Sequence, residues 1–221
     1  MEVIWLIAFR GNRDIQFWAF YEDSPDTDAE RGAVIEQMMN TQVALLKEVT
    51  ADPSPPMRTT LYAEKSVLFA DGHLRPPSDP ALIWNFVAAR RDHFPAPDLQ
   101  GMEVPDDRPL GYYMNFQFTS SGSHLAQGEG PWKMERNFRY VDGKNPRPLE
   151  FSVVNAGNVR EFVMTMSANA AMMWDFQDYD TDNFLAEFCA EYFGAEHASN
   201  VAELYRDFFN SYWQQKEPDL E

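Results

Sequence analysis

The sequence predicts an α/β fold of strand–helix units. Two observations carry this. Strand-like runs recur at 2–9, 58–62, 81–87, 111–118 and 149–155, the first of them a short apolar run with Val, Ile, Trp and Phe. Polar turns follow these runs, and helical stretches lie between several of them, which is the pattern of parallel βα units. The pattern then changes. After Trp174 come two amphipathic stretches, Asp182 to Phe193 and Ala198 to Trp213, separated by Gly194 with no strand between them. They read as the start of a helical bundle.

Taken in order, Glu2 to Phe9 is a buried strand that ends in the polar turn Arg10-Gly11-Asn12-Arg13-Asp14. A helix near Ala29 to Val49 follows, with cap chemistry from Asp26, Thr27 and Asp28. Its inward stripe reads as Val34, Ile35, Met38, Gln42, Leu45, Leu46 and Val49. A Pro-rich link at 52–57 ends that unit. Arg58 to Tyr62 is the second strand, with Glu64 opening a short helix to Ala70 that Asp71-Gly72 breaks. Ala81 to Val87, Gly111 to Phe118 and Leu149 to Asn155 complete the strands. A long polar loop holding His124, Trp132 and Lys133 leaves the fourth, and a helix running to Trp174 follows the fifth. Five strands are too few to close an eight-stranded barrel, so the residues alone leave an open sheet and a truncated barrel both standing.

Composition narrows the function. With 221 residues and 44% hydrophobic content the chain has material for a sizeable core in one or two domains. A net charge of −17 excludes nucleic acid, whose phosphates need clustered Lys and Arg. No apolar run is long enough to span a bilayer, and the first residues lack the basic start of a secretory signal. Cys189 is the only cysteine, so neither an intrachain disulfide nor a thiolate cluster is available. His73, His93, His124 and His197 match no metal-binding spacing, so no metal is expected.

Ligands of parallel barrels sit at the C-terminal ends of the strands. Here those ends carry Arg10 and Asp14, Glu64, Asn85, Asn115 and Gln117, and Asn155. Any one of them is ordinary cap or turn chemistry; the set points to a site. Asp14 and Glu64 are the strongest carboxylates, and a glycosidase needs two carboxyl groups. Arg10 has two readings: a bidentate hold on a ligand carboxylate, or a structural pair with Asp14. The loop with His124, Gln127, Glu129, Trp132 and Lys133 mixes an aromatic, an amide, a carboxylate and a cation, which suits a hydroxyl-rich ligand such as a sugar. Trp132 is its best stacking platform. Phe116, Phe118 and the Met164, Met166, Met172, Met173 group read as core.

The ordered series FRGNRD, LYAEKSVLFADGHLRPPSD, LIWNF, GYYMNFQF and SVVNAGNVREF resembles glycoside hydrolase family 115 over nearly the whole chain. That family is similar in its order MRG-x-x-D, a Glu-bearing segment ending in a Gly and a Pro-Asp turn, W-D-D-N, YYH and W-I-V-N-V-G-D. The resemblance implies a partial TIM (β/α)8 barrel over 1–175, its last five units, with 176–221 as the start of an α-helical bundle domain. It further implies an inverting glycosidase, using neither metal nor cofactor, that removes glucuronic acid or its 4-O-methyl ether from a xylan-type polysaccharide. Glu64 would be its general acid or base. Asp14 and Asn155 would meet sugar hydroxyls, and Arg10 or Lys133 the uronate carboxylate. Asn85, Asn115, Gln117, His124 and Trp132 complete the expected binding set.

Six positions depart from the pattern. Asn85-Phe86-Val87 replaces Asp-Asp-Asn, Met114 replaces the YYH histidine, Gln117 replaces a Tyr, and Asn158 replaces the last Asp. These departures keep a second reading open, a non-catalytic carbohydrate-binding remnant. The expected partner is a polysaccharide or oligosaccharide, with no nucleic acid and no membrane; a homodimer of an extracellular or periplasmic full-length protein stands as an option. Residues 1–221 alone are expected to be inactive and aggregation-prone, because a truncated barrel leaves open edges.

Overall fold

The structure, a computed structural model, describes residues 3–12, 15–87, 103–116, 130–156 and 159–212. Asp14, Gln117, His124 and most of the polar loop lie outside them. The chain divides into two compact units. One holds Met1–Val87, Pro97–Tyr112 and Val141–Phe151; the other holds Ala88–Ala96, Tyr113–Tyr140 and Ser152–Glu221.

The fold is α/β, and the expected strands are present. They are β1 (Trp5–Leu6), β2 (Met57–Leu61), β3 (Leu82–Val87), β4 (Leu110–Asn115) and β5 (Phe151–Asn155). They hydrogen-bond in chain order as one sheet, β1-β2-β3-β4-β5. β1 pairs in parallel with β2, Trp5 opposite Met57, and β2 in parallel with β3, Thr60 opposite Asn85. Glu150 N–H donates to Leu110 O and Phe116 N–H to Asn155 O, so β4 and β5 also run in the same direction.

β1 is shorter than its apolar run suggested. It stands at the end of the strand order and pairs on one side only, with Trp5 43% and Leu6 52% exposed. Helix α1 (Asp28–Thr50) closes part of its other side. The Gln42 amide accepts from Ala8 N–H at 3.0 Å and donates to Ala8 O at 2.7 Å. One side chain thus satisfies both backbone groups of Ala8, two residues before Arg10.

The start of α1 follows its sequence. Thr27 and Glu30 form a capping box. Its rotation does not. The buried seam is Gly32, Ile35, Met39 and Val43, while Leu45 and Val49 are exposed. Gly32 sets that rotation: a Cβ there would lie 1.8 Å from the His73 carbonyl oxygen, so only glycine lets the two backbones approach.

β2 alternates as a strand covered on one face should, with Met57, Thr59 and Leu61 buried and Arg58 and Thr60 half-buried. Helix α2 (Glu64–Ala70) packs near that covered face: Phe69 meets the edge of Trp84 in β3 with ring centroids 5.3 Å apart. The Arg108 guanidinium lies 4.7 Å over the same indole.

The second unit corrects one expectation. Trp132 and Lys133, read from sequence as part of the polar loop, lie instead in the first turn of a helix, α3 (Pro131–Asp142). Proline is well placed at a first helical position, and Met134, Asn137, Phe138 and Val141 form a buried stripe at helical spacing. Helices α4 (Val163–Trp174), α5 (Thr181–Phe193) and α6 (Ala198–Tyr212) complete this unit. Met164, Leu185, Phe188, Cys189 and Phe209 make its core, with Trp132, Val163 and Val201 packed against them. Helices on both sides of Trp174 therefore contribute to one core.

A charged cluster fastens the start of β3. Asp79, whose side chain is 8% exposed, pairs with Lys47 of α1 and accepts from Ala81 N–H at 2.9 Å. Burial pushes its carboxyl up, but the Lys47 ammonium, the Ala81 N–H and the Arg108 guanidinium outweigh that and hold it below the ordinary Asp range. The folded value is thus depressed. Its stabilisation is complete above the ordinary Asp value of about 3.9 and disappears as pH falls through the folded value. Asp79→Asn is expected to cost about 1–2 kcal/mol of unfolding free energy at pH 7, measured by urea denaturation, because Lys47 is partly open to solvent. The gap from the parent should shrink progressively below about pH 4; a gap independent of pH would show that the charge contributes nothing.

Candidate active site

Two strand ends in the first unit build the site. β1 continues through Ile7, whose N–H donates to Arg58 O at 2.8 Å, and the Gln42-held Ala8 to Arg10. β2 ends at Leu61, and a tight turn through Tyr62 and Ala63 starts α2 at Glu64. Because the two strands are parallel neighbours, Arg10 and Glu64 emerge at the same C-terminal side. They meet there in a fork. Arg10 Nε donates to Glu64 Oε1 at 2.7 Å and Arg10 Nη2 to Glu64 Oε2 at 2.8 Å. The guanidinium also lies 5.4 Å over the Tyr62 ring. Side-chain exposure is 15% for Arg10 and 7% for Glu64.

A two-point guanidinium–carboxylate contact fixes direction as well as distance. The bidentate grip expected of Arg10 is thus present, but Glu64 is its partner. Removing one partner of a buried pair strands the other charge in a poorly solvated place.

Asn85 lies inside β3, fully buried, on the sheet face opposite Trp84. Among the described residues, neither its Oδ1 nor its Nδ2 has a hydrogen-bond partner. A Cβ at position 111 would come within 1.9 Å of Asn85 Oδ1, so Gly111 is what makes room for this amide. A buried amide without partners is costly, and such groups are retained for a reason other than stability.

The remaining expected residues fall in the second unit. Asn155 ends β5 and is exposed, its carbonyl accepting from Phe116 N–H at 3.1 Å. Asn115 ends β4. Lys133 lies half-buried in the first turn of α3, where its carbonyl accepts from the Asn137 amide at 2.9 Å. Trp132 is held among helices: its Nε1 donates to Asp182 at 3.0 Å, Arg206 lies 5.5 Å over its ring, and Phe209 packs 6.2 Å away. Its edge and one face are therefore occupied by protein. Among the described residues no group of three or more His, Cys, Asp or Glu could hold a metal ion.

Sequence reasoning picked out Arg10 and Glu64 but missed Tyr62 beneath Arg10 and Gln42 behind Ala8. Tyr62 sits two residues before Glu64 in a strand-to-helix turn, and that position was the available signal.

Parallel strands that deliver an ion-paired carboxylate at their C-terminal ends define an α/β protein with its groups where barrel enzymes place theirs. The chain belongs to glycosyl hydrolase family 115, whose model matches residues 1–219. One solved structure is described as a family GH115 4-O-methyl-alpha-glucuronidase, BtGH115A, with specificity for decorated arabinogalactans. It superposes with a TM-score of 0.70 over 94% of this chain, at 15% identity. At that identity the likeness speaks for the fold, and this chain spans 27% of that structure's length. No curated protein matches the chain.

A double-mutant cycle tests the fork. Arg10→Met should cost about 3–5 kcal/mol of stability, because Glu64 is left buried without its cation. Adding Glu64→Gln should restore at least about 2 kcal/mol of that loss. Additive losses in denaturant titrations would show that the two side chains do not depend on each other.

Proposed function

We propose that the protein is a glycosidase that removes a uronic acid, glucuronic acid or its 4-O-methyl ether, from a plant-type polysaccharide. The observation that carries this is the forked Glu64 carboxylate at the β2 end of a family 115 chain.

Inverting hydrolysis needs one carboxyl group to protonate the leaving oxygen and one carboxylate to take a proton from the attacking water. Both Arg10 contacts donate to Glu64, so its oxygens stand in the site as hydrogen-bond acceptors. Glu64 is therefore the general base in this reading. The fork leaves each oxygen a second lone pair for the water, and Arg10 holds the carboxylate still while the proton moves. Asp14, four residues beyond Arg10 in the same turn, is the partner carboxyl. Arg10 or Lys133 remains the proposed partner of the uronate carboxylate. Asn85, Asn115, Gln117, His124, Trp132 and Asn155 remain the proposed sugar-contacting set. Xylan and decorated arabinogalactan are the two backbones to compare, the first from the sequence resemblance and the second from the structural neighbour.

The test uses the whole protein on aldouronic xylo-oligosaccharides, on decorated arabinogalactan and on an aryl glucuronide with a good leaving group. Uronic acid release with inversion at C1, followed by NMR, is the expected result. Glu64→Gln should lower turnover by about 100–10,000-fold on all three substrates. A variant that recovers on the aryl glycoside would make Glu64 the acid, since an activated leaving group needs no proton. An unchanged rate would remove Glu64 from the chemistry, and sugar binding without turnover by the parent would favour a binding protein.

A further inference from the structure

The turn that delivers Glu64 is strained. Ala63 has φ 50° and ψ −120°, and Lys65 N–H closes the turn onto Tyr62 O at 3.1 Å. This is the geometry of a type II′ turn, whose first central residue has positive φ and is ordinarily glycine. Among the described residues only Ala51 and Ala63 are non-glycine with positive φ. Ala51, at φ 52° and ψ 26°, occupies the left-handed well that helix ends commonly use. Ala63 lies outside that well, in a region where a Cβ is unfavourable.

The surroundings hold Ala63 there. Its carbonyl accepts from Ser66 N–H at 3.1 Å, Val67 N–H at 3.3 Å and Ser66 Oγ at 2.8 Å, and Ser66 is 3% exposed. Three donors on one carbonyl fix the peptide that leads into Glu64. The strain thus falls on the residue immediately before the forked carboxylate, and the clamp falls on the same peptide.

We propose that Ala63 is a positioning residue for Glu64. Its strained turn, clamped by Ser66, confines the start of α2 to one conformer and so keeps the carboxylate in register with Arg10. Glycine would fit the turn without strain, but it would also open the broad positive-φ region around this turn that a Cβ forbids to alanine. Each such conformer swings the Glu64 Cα–Cβ bond relative to β2. Strain at this point trades stability for a fixed carboxylate. The catalytic part of this inference rests on the reading of Glu64 as the general base.

Ala63→Gly and Ala63→Ser in the whole protein test it. Ala63→Gly should raise the melting temperature by about 2–4 °C, because strain is relieved. It should lower kcat by about 10–100-fold with KM within about twofold of the parent, because the base is misplaced while binding is kept. Ala63→Ser keeps the Cβ and should retain most of the parent kcat. A second readout does not depend on turnover: the side-chain carboxyl 13C signal of Glu64, assigned by its loss in Glu64→Gln. It should be single in the parent and in Ala63→Ser, and broadened or doubled in Ala63→Gly. Full kcat in Ala63→Gly, a lowered melting temperature, or a single unbroadened carboxyl signal would each overturn the proposal. If the parent lacks glycosidase activity altogether, the proposed function fails while the carboxyl signal still decides the positioning role.

Discussion

The fork between Arg10 and Glu64 is the contact on which the arrangement of the strand ends depends. The two side chains come from adjacent parallel strands and are almost removed from solvent. Each would be costly in that position without the other. Their meeting requires β1 and β2 to be in register, Trp5 beside Met57 and Leu6 beside Arg58, and requires both chains to leave the sheet toward the same side. A slip of one residue would turn Arg10 away and leave a buried carboxylate alone.

Several weaker features make sense as support for that contact. Gln42 completes the backbone bonding of Ala8 two residues before Arg10, so the short edge strand is held at the point where it matters. Gly32 lets α1 approach the backbone at His73, which sets the helix rotation from which Gln42 projects. Lys47, farther along the same helix, reaches Asp79 at the start of β3. One helix therefore tethers the end of β1 and the beginning of β3. Tyr62 then lies beneath the guanidinium and adds an aromatic face to the carboxylate that already holds it.

Much of this was legible in the sequence, for local reasons. The β2 alternation of Met57, Thr59 and Leu61 and the capping box at Thr27 are written in neighbouring residues. Glu64 and Arg10 stood out individually as charged groups after apolar runs. Their pairing did not, because 54 residues separate them and nothing local couples them. The rotation of α1 was hidden for a similar reason. Leu45 and Val49 are apolar enough to join an inward stripe, and only the distant backbone at His73 decides otherwise. Helix α3 was legible but outweighed: Pro131 and the stripe at Met134, Asn137, Phe138 and Val141 announce it, while the polar residues before them suggested a longer loop. Trp132 shows the limit most clearly, since an aromatic residue after Gly-Pro fits a sugar platform and a helix anchor equally well until Asp182, Arg206 and Phe209 are seen around it.

The central claim is that the Arg10–Glu64 pair is the centre that meets the sugar. The most direct measurement is a crystal structure of the whole protein with glucuronic acid or its 4-O-methyl ether bound. The expected result is the anomeric carbon facing Glu64 across one water, with both Arg10 contacts intact. A sugar bound away from Glu64, with the fork untouched, would contradict it.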